Sequence, residues 1–170
     1  TSPDANSQHW NPAKYAFAED EIGLSVSYTP WLRNIVNDMN LGYVAGYYRL
    51  DDENVLSASL LYFDMGSIPF RDNNNLPIRD HQPHEFALDF GYSRLLGENF
   101  SGAVALRYIN SNLTGGIEVG GVPTSAGQSI AGDVAFFYTS DNLGFSGMPG
   151  TLNAGVNISN IGNKMSYSDN

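Results

Sequence analysis

Four ionisable residues sit inside otherwise regular strand patterns: Glu85, Asp89, Arg107 and Asp133. A guanidinium among carboxylates makes charge-assisted hydrogen bonds that can fix a shape or line a path for polar solutes. If the turn between the two flanking segments centres near Leu96, Glu85 and Arg107 lie opposite one another, with Asp89 and Asp133 extending the network. Hydrated ion pairs contribute only about 0–1 kcal/mol. Their expected effect is instead to forbid a one-residue slip, which would carry every charge to the opposite face of the sheet.

Other spacings suggest chemistry and do not sustain it. His81-x-x-His84-Glu85 superficially resembles a zinc word, but Pro83 and a following strand deny it the single helix face such ligands need. Asp72-Asn73-Asn74-Asn75 lacks the glycine and distal glutamate of a calcium loop, so it reads as a solvated loop. Gly144-Phe145-Ser146-Gly147 is not a nucleophile elbow, and the three histidines have no evident partner. With no cysteine there is no thiolate ligand or nucleophile. The chain is therefore read as a non-enzyme with no catalytic, metal or cofactor-binding residues. A different kind of site lies just beyond the strand ends, where Trp31, Leu32, Arg33, Ile68, Phe70 and Arg71 combine exposed apolar side chains with cations. Either these fold inward over a barrel mouth, or they form a docking patch of the kind aromatics rimmed by arginine make at interfaces.

The elements that must position these residues are strands. In Glu85-Phe86-Ala87-Leu88-Asp89-Phe90-Gly91-Tyr92 every even position is large and apolar, and every odd one is charged or small. After a turn over Arg94–Asn99, Val104, Leu106 and Tyr108 alternate with Ala103, Ala105 and Arg107. Successive strand side chains point to opposite faces, so this is an antiparallel hairpin with one greasy and one polar face. Ions in mid-strand require that the polar face meet water. A wall greasy outside and wet inside is what an outer-membrane barrel needs.

Similar segments run from Ile22 to Tyr28, Leu41 to Leu50, Val55 to Tyr62, Ile130 to Thr139 and Leu152 to Ser159; the second is apolar on both faces and leaves its register open. The expectation is about seven strands of roughly nine to eleven residues, long enough to cross a bilayer at a tilt. Tight turns after the second and fourth alternate with long connections after the third and fifth, the segment Asp64–Pro83 being read as loop. Tyr28, Trp31, Tyr47, Tyr48, Tyr62, Phe63, Tyr92, Tyr108 and Tyr138 gather near strand ends, as interfacial belts require. Residues 1–20 lack a period; Pro12 there can open a short helix, either a turn packed on the sheet or a plug tucked into a lumen.

Bulk properties agree with this reading. The chain has 170 residues and a net charge of -10, with no basic cluster to neutralise phosphates, so nucleic acid is excluded as a partner. No run approaches the roughly 18 apolar residues of a spanning helix, which excludes helical membrane proteins but not barrels. The polar opening Thr1-Ser2-Pro3-Asp4 leads to the expectation that numbering starts after export processing. An odd strand count and an unclosed final edge lead to the expectation of a longer barrel.

Several words resemble the PorV family: Asp4-Ala5-Asn6-Ser7-Gln8-His9-Trp10-Asn11-Pro12-Ala13-Lys14-Tyr15, Ser27-Tyr28-Thr29-Pro30-Trp31-Leu32, Gly46-Tyr47-Tyr48-Arg49, Ser101-Gly102-Ala103-Val104 and Gly155-Val156-Asn157-Ile158-Ser159-Asn160-Ile161-Gly162. They occur in the same order along most of the chain. The Asn-Pro-Ala word is shared with FadL-like fatty-acid channels. The resemblance implies an all-β fold, an antiparallel transmembrane β-barrel of about fourteen strands, of which residues 21–170 supply the N-terminal half behind a plug-like segment over 1–20. It also implies an outer-membrane component of type IX protein secretion in Bacteroidota. Such a protein binds a SprA-type translocon and collects secreted proteins carrying a C-terminal signal domain, then passes them to a PorU-type sortase. Outer-membrane lipid is its surroundings. The alternative is a FadL-like channel for a hydrophobic small molecule, which needs a continuous apolar passage.

Overall fold

The computed structural model describes residues 3–31, 38–72, 74–116, 118, 121–141 and 150–168. Among the described residues nine strands follow a short N-terminal segment: β1 (Ile22–Pro30), β2 (Asn40–Arg49), β3 (Asn54–Asp64), β4 (Ile68–Arg71), β5 (Pro77–His81), β6 (His84–Gly97), β7 (Phe100–Asn112), β8 (Gly127–Ser140) and β9 (Leu152–Gly162). Seven of them form one sheet in the order β1-β2-β3-β6-β7-β8-β9, and β4 pairs with β5 as a separate hairpin. Every pairing is antiparallel. The fold is all-β, as the alternation requires. Seven strands do not close it, and the outer edges of β1 and β9 are unpaired among the described residues.

Even-numbered side chains occupy one face from β1 through β8 because the pairing joins even residues to even ones, Leu24 to Gly46, Ala58 to Phe90 and Phe90 to Leu106. That face is bare. Leu24 is 72% exposed, Phe90 60% and Leu106 66%. Val104 is also exposed, Phe86 and Leu88 are half-buried by their neighbours, and no second layer lies over them among the described residues. So continuous a run of exposed apolar side chains is not what soluble monomers keep toward water. Among the described residues no helix is long and apolar enough to cross a membrane, which says nothing of strands.

Four features depart from the sequence reading. The segment Asp64–Pro83, expected as loop, holds the β4–β5 hairpin, whose short strands carry Pro69 and Pro77 and so lack a clear alternating run. Arg94–Gly97 is not turn but the end of β6; the reversal is made by Glu98 and Asn99 alone. With that extension β6 has 14 residues, and β7 with 13 and β8 with 14 likewise exceed the expected nine to eleven. Finally, pairing fixes the ambiguous β2: Val44 and Tyr48 face outward, while Ala45 and Tyr47 are buried on the other face. Tyr47 and, by register, Phe63 therefore leave the outward aromatic set.

Candidate functional site

The second face is covered by the N-terminal segment. A single α-turn (Ser7–Trp10) leads into a 3-10 turn (Pro12–Phe17). Pro12 holds Asn11 extended, at φ -160° and ψ 98°, and supplies the first position of the turn, where its missing N–H costs nothing. Asn11 caps that turn by accepting from the Ala13 N–H at 3.0 Å. Ala13, Tyr15, Ala16 and Ala18 are buried; Ala13 packs with Ala103, Ala135 and Phe137, and Tyr15 and Ala18 with Tyr47 and Val55.

Such a segment forms few regular hydrogen bonds, so its polar groups must be satisfied by the wall. The Ser93 hydroxyl donates to the Pro12 carbonyl at 2.7 Å, and the Ser101 hydroxyl to the Ala13 carbonyl at 2.6 Å. Ser57 donates to Gln8 Oε1 at 2.6 Å. The Asn11 amide donates to the Phe136 carbonyl at 3.0 Å, and the Asn157 amide to the Trp10 carbonyl at 3.1 Å. Arg49 donates to the Ala18 carbonyl. Within the segment, Tyr15 donates to the Ala5 carbonyl at 2.8 Å and accepts from the Gln8 N–H at 2.9 Å. Burial pushes the Tyr15 phenol above its ordinary range, outweighing the Gln8 hydrogen bond.

Beside this segment lies the ion cluster. Arg107 Nε donates to Asp89 Oδ1 at 2.6 Å, and Arg107 Nη2 lies 3.3 Å from Asp133 Oδ2. The Ser59 hydroxyl donates to Asp89 Oδ2 at 2.9 Å. Asn160 adopts a left-handed conformation (φ 61°) where the β8–β9 register shifts. Its N–H donates to Asp133 Oδ1 at 2.7 Å and its side-chain oxygen accepts from Arg107 Nη1 at 2.7 Å. The cluster thus holds a bulge as well as pairing charges. It borders a cavity of about 310 Å³ whose lining includes His9, Tyr43 and Leu61.

The expected Glu85–Arg107 pair is corrected. With the turn at Glu98–Asn99 rather than Leu96, Arg107 faces Asp89, and Glu85 faces Ser111, whose hydroxyl it accepts. A shift of two in the turn centre moves every partner by four and preserves the face.

The family model described as Type IX secretion system protein PorV matches residues 1–170. This chain belongs to the PorV family. No curated protein matches it. As a family member it is a component of type IX secretion, a role consistent with a place in the cell envelope. The words that carry the PorV likeness meet in space. Trp10-Asn11-Pro12-Ala13 is the covering segment, and Asn157 and Asn160 of the last word are its dock and the bulge beside it. The serines at 57, 93 and 101 were missed as functional candidates. The signal was available, since each occupies an odd, inward position of its strand, but alternation alone assigns such residues merely to a wet face.

The outer-loop residues are placed less uniformly. Leu32 and Arg33 lie outside the described residues. Trp31 is 46% exposed and Ile68 44%. Phe70 is not free as expected: it is half-buried and stacks on His81, with ring centroids 5.8 Å apart. Arg71 donates to the Asn75 carbonyl at 3.1 Å. His81 therefore belongs to the hairpin, whereas His84 stacks on Tyr62 in the main sheet, at 6.1 Å between centroids. No group of three metal-ligating side chains occurs among the described residues.

Proposed function

We propose that these strands form part of the wall of an outer-membrane β-barrel, with residues 1–20 as its lumenal plug. The protein then works in type IX secretion as a non-enzymatic partner that binds a SprA-type translocon, collects substrates bearing the C-terminal signal domain, and hands them to a PorU-type sortase. The observation that supports this most is the division of the sheet into a bare apolar face and a face capped by polar and small residues. Hydrocarbon solvates the first, and the covering segment with the Asp89–Arg107–Asp133 cluster fills the second. Lipid cannot satisfy the open edges of β1 and β9, so the reading includes further strands that close the wall. Trp31, Ile68 and Arg71, with Leu32 and Arg33, are the residues proposed to meet the translocon or its cargo.

A second reading, a FadL-like channel for a hydrophobic solute, draws on one observation. Leu41, Leu61, Phe63 and Ile109 occupy inward positions toward the long-loop ends of their strands and make an apolar patch there. The covering segment and the buried ions interrupt it, which favours the first reading. Purification of the full protein from native outer membranes in mild detergent tests the choice. Co-elution of a translocon and signal-bearing cargo is expected. Secretion unchanged in a deletion strain, with loss of hydrophobic-solute uptake instead, would establish the channel.

A further inference from the structure

The N-terminal segment is hydrogen-bonded or packed to six of the seven strands of the main sheet. Tyr15 lies on Tyr47 of β2 with ring centroids 5.0 Å apart, and Arg49 of the same strand holds the Ala18 carbonyl. Ser57 of β3 takes Gln8, Ser93 of β6 takes Pro12, and Ser101 of β7 takes Ala13. At the far side Asn11 bridges the seam between β8 and β9, donating to the carbonyls of Phe136 at 3.0 Å and Val156 at 3.4 Å, while Asn157 of β9 returns a bond to Trp10.

We propose that this segment is a permanent internal brace, one that stays docked while the protein works, and not a gate that swings out to open a passage. The geometry gives three reasons. A gate is held by a few contacts at one place, whereas here the ties are spread over six strands and withdrawal must break them all. Withdrawal would give up the hydrogen bonds that Ser93 and Ser101, fully buried beneath the segment, donate to its Pro12 and Ala13 carbonyls. The segment also cannot slide to new partners, because it is keyed in place. A Cβ on Gly155 would lie 2.8 Å from the Asn11 amide nitrogen, so that glycine is a notch for Asn11. Tying both β2 and β9 to one short rigid piece fixes the spacing of strands far apart in the sheet, which pairwise ladders alone do not fix.

This inference rests on the reading of the chain as a non-channel secretion component, and the sequence favours its test because it contains no cysteine. The pair Asn11→Cys with Gly155→Cys, oxidised in intact cells, locks the segment to β9. A second pair, Trp10→Cys with Asn157→Cys joined by a short bismaleimide, guards against a first pair that fails to fold. The expected result is secretion of signal-bearing cargo at the same rate, within twofold, in the locked and reduced or unlinked forms. Secretion lost on locking and restored by reductant would overturn the brace while leaving the secretion role intact. Uptake of a long-chain fatty acid lost on locking and restored by reductant would overturn both. A deletion strain that secretes normally would remove the secretion role alone. The brace then stands or falls on the folded protein in detergent, where Asn11→Ala with Asn157→Ala must lower the unfolding temperature; no shift overturns it.

Discussion

Replacing Arg107 by methionine isolates the cost of the ion cluster. The guanidinium serves two carboxylates whose side chains are 8% and 4% exposed, at 2.6 Å and 3.3 Å. Deleting one partner of a buried ionic group costs about 3–5 kcal/mol, because the remaining charge is left desolvated and uncompensated. Here two like charges remain, which raises the cost, but Ser59 and the Asn160 N–H still donate to them and the cavity beside them can admit water, which lowers it. A loss of about 3 kcal/mol results from taking the lower end of that range. For a chain of this size that corresponds to a fall of roughly 6–12 °C in unfolding temperature. The assay is thermal unfolding in detergent, followed by circular dichroism and by loss of the heat-modifiable band on gels. Adding Asp89→Asn and Asp133→Asn to Arg107→Met removes the stranded charges and should recover most of the loss. A single variant that costs less than about 1 kcal/mol, or a triple variant no more stable than the single, would refute the argument that charge burial governs this site.

Three further outcomes are expected. Leu106→Arg, at the middle of the bare face, should cost about 2–4 kcal/mol when folding is measured in lipid vesicles, whereas Asn110→Arg near the strand end should cost about 0–1 kcal/mol; equal effects would mean that hydrocarbon does not solvate that face. Burial raises the Tyr15 phenol, so its contribution to stability is complete below the ordinary range near pH 10 and is lost as pH climbs above it. An alkaline titration of hydrogen exchange over residues 5–18 should therefore show the segment loosening, and Tyr15→Phe should reduce that pH dependence while weakening docking at neutral pH. Gly155→Val should drive Asn11 from its notch, since the added Cβ alone meets the amide at 2.8 Å and the Phe137 ring at 3.1 Å; protection from exchange across residues 5–18 would then fall at least tenfold, and unchanged protection would show that the notch is not needed.

Much of this was legible in the residues. Period-two alternation places Phe90, Leu106 and their even-numbered neighbours on one face and Asp89, Arg107 and Asp133 on the other, because a strand allows only two directions. Many odd positions are small or polar where the covering segment lies, and the fixed φ of Pro12 lets it open a short helical turn. Those are local consequences of covalent geometry, and they hold whatever the sheet packs against. Pairing is different. Whether Arg107 meets Glu85 or Asp89 depends on where the chain reverses between β6 and β7, and Leu95-Leu96-Gly97 continues as strand as readily as it turns. Ladder hydrogen bonds on both sides of β6 decide it. The ambiguous β2 was likewise settled only by neighbours, since burying Tyr47 beneath Tyr15 requires the segment to be in place. Ser93, Ser101 and Asn157 could be assigned to a wet face but not to a partner, because their partners are backbone carbonyls some 80 to 150 residues away, and a carbonyl carries no mark in a sequence. The sheet's two faces belong to the sequence; what lies on the inner one is a tertiary fact.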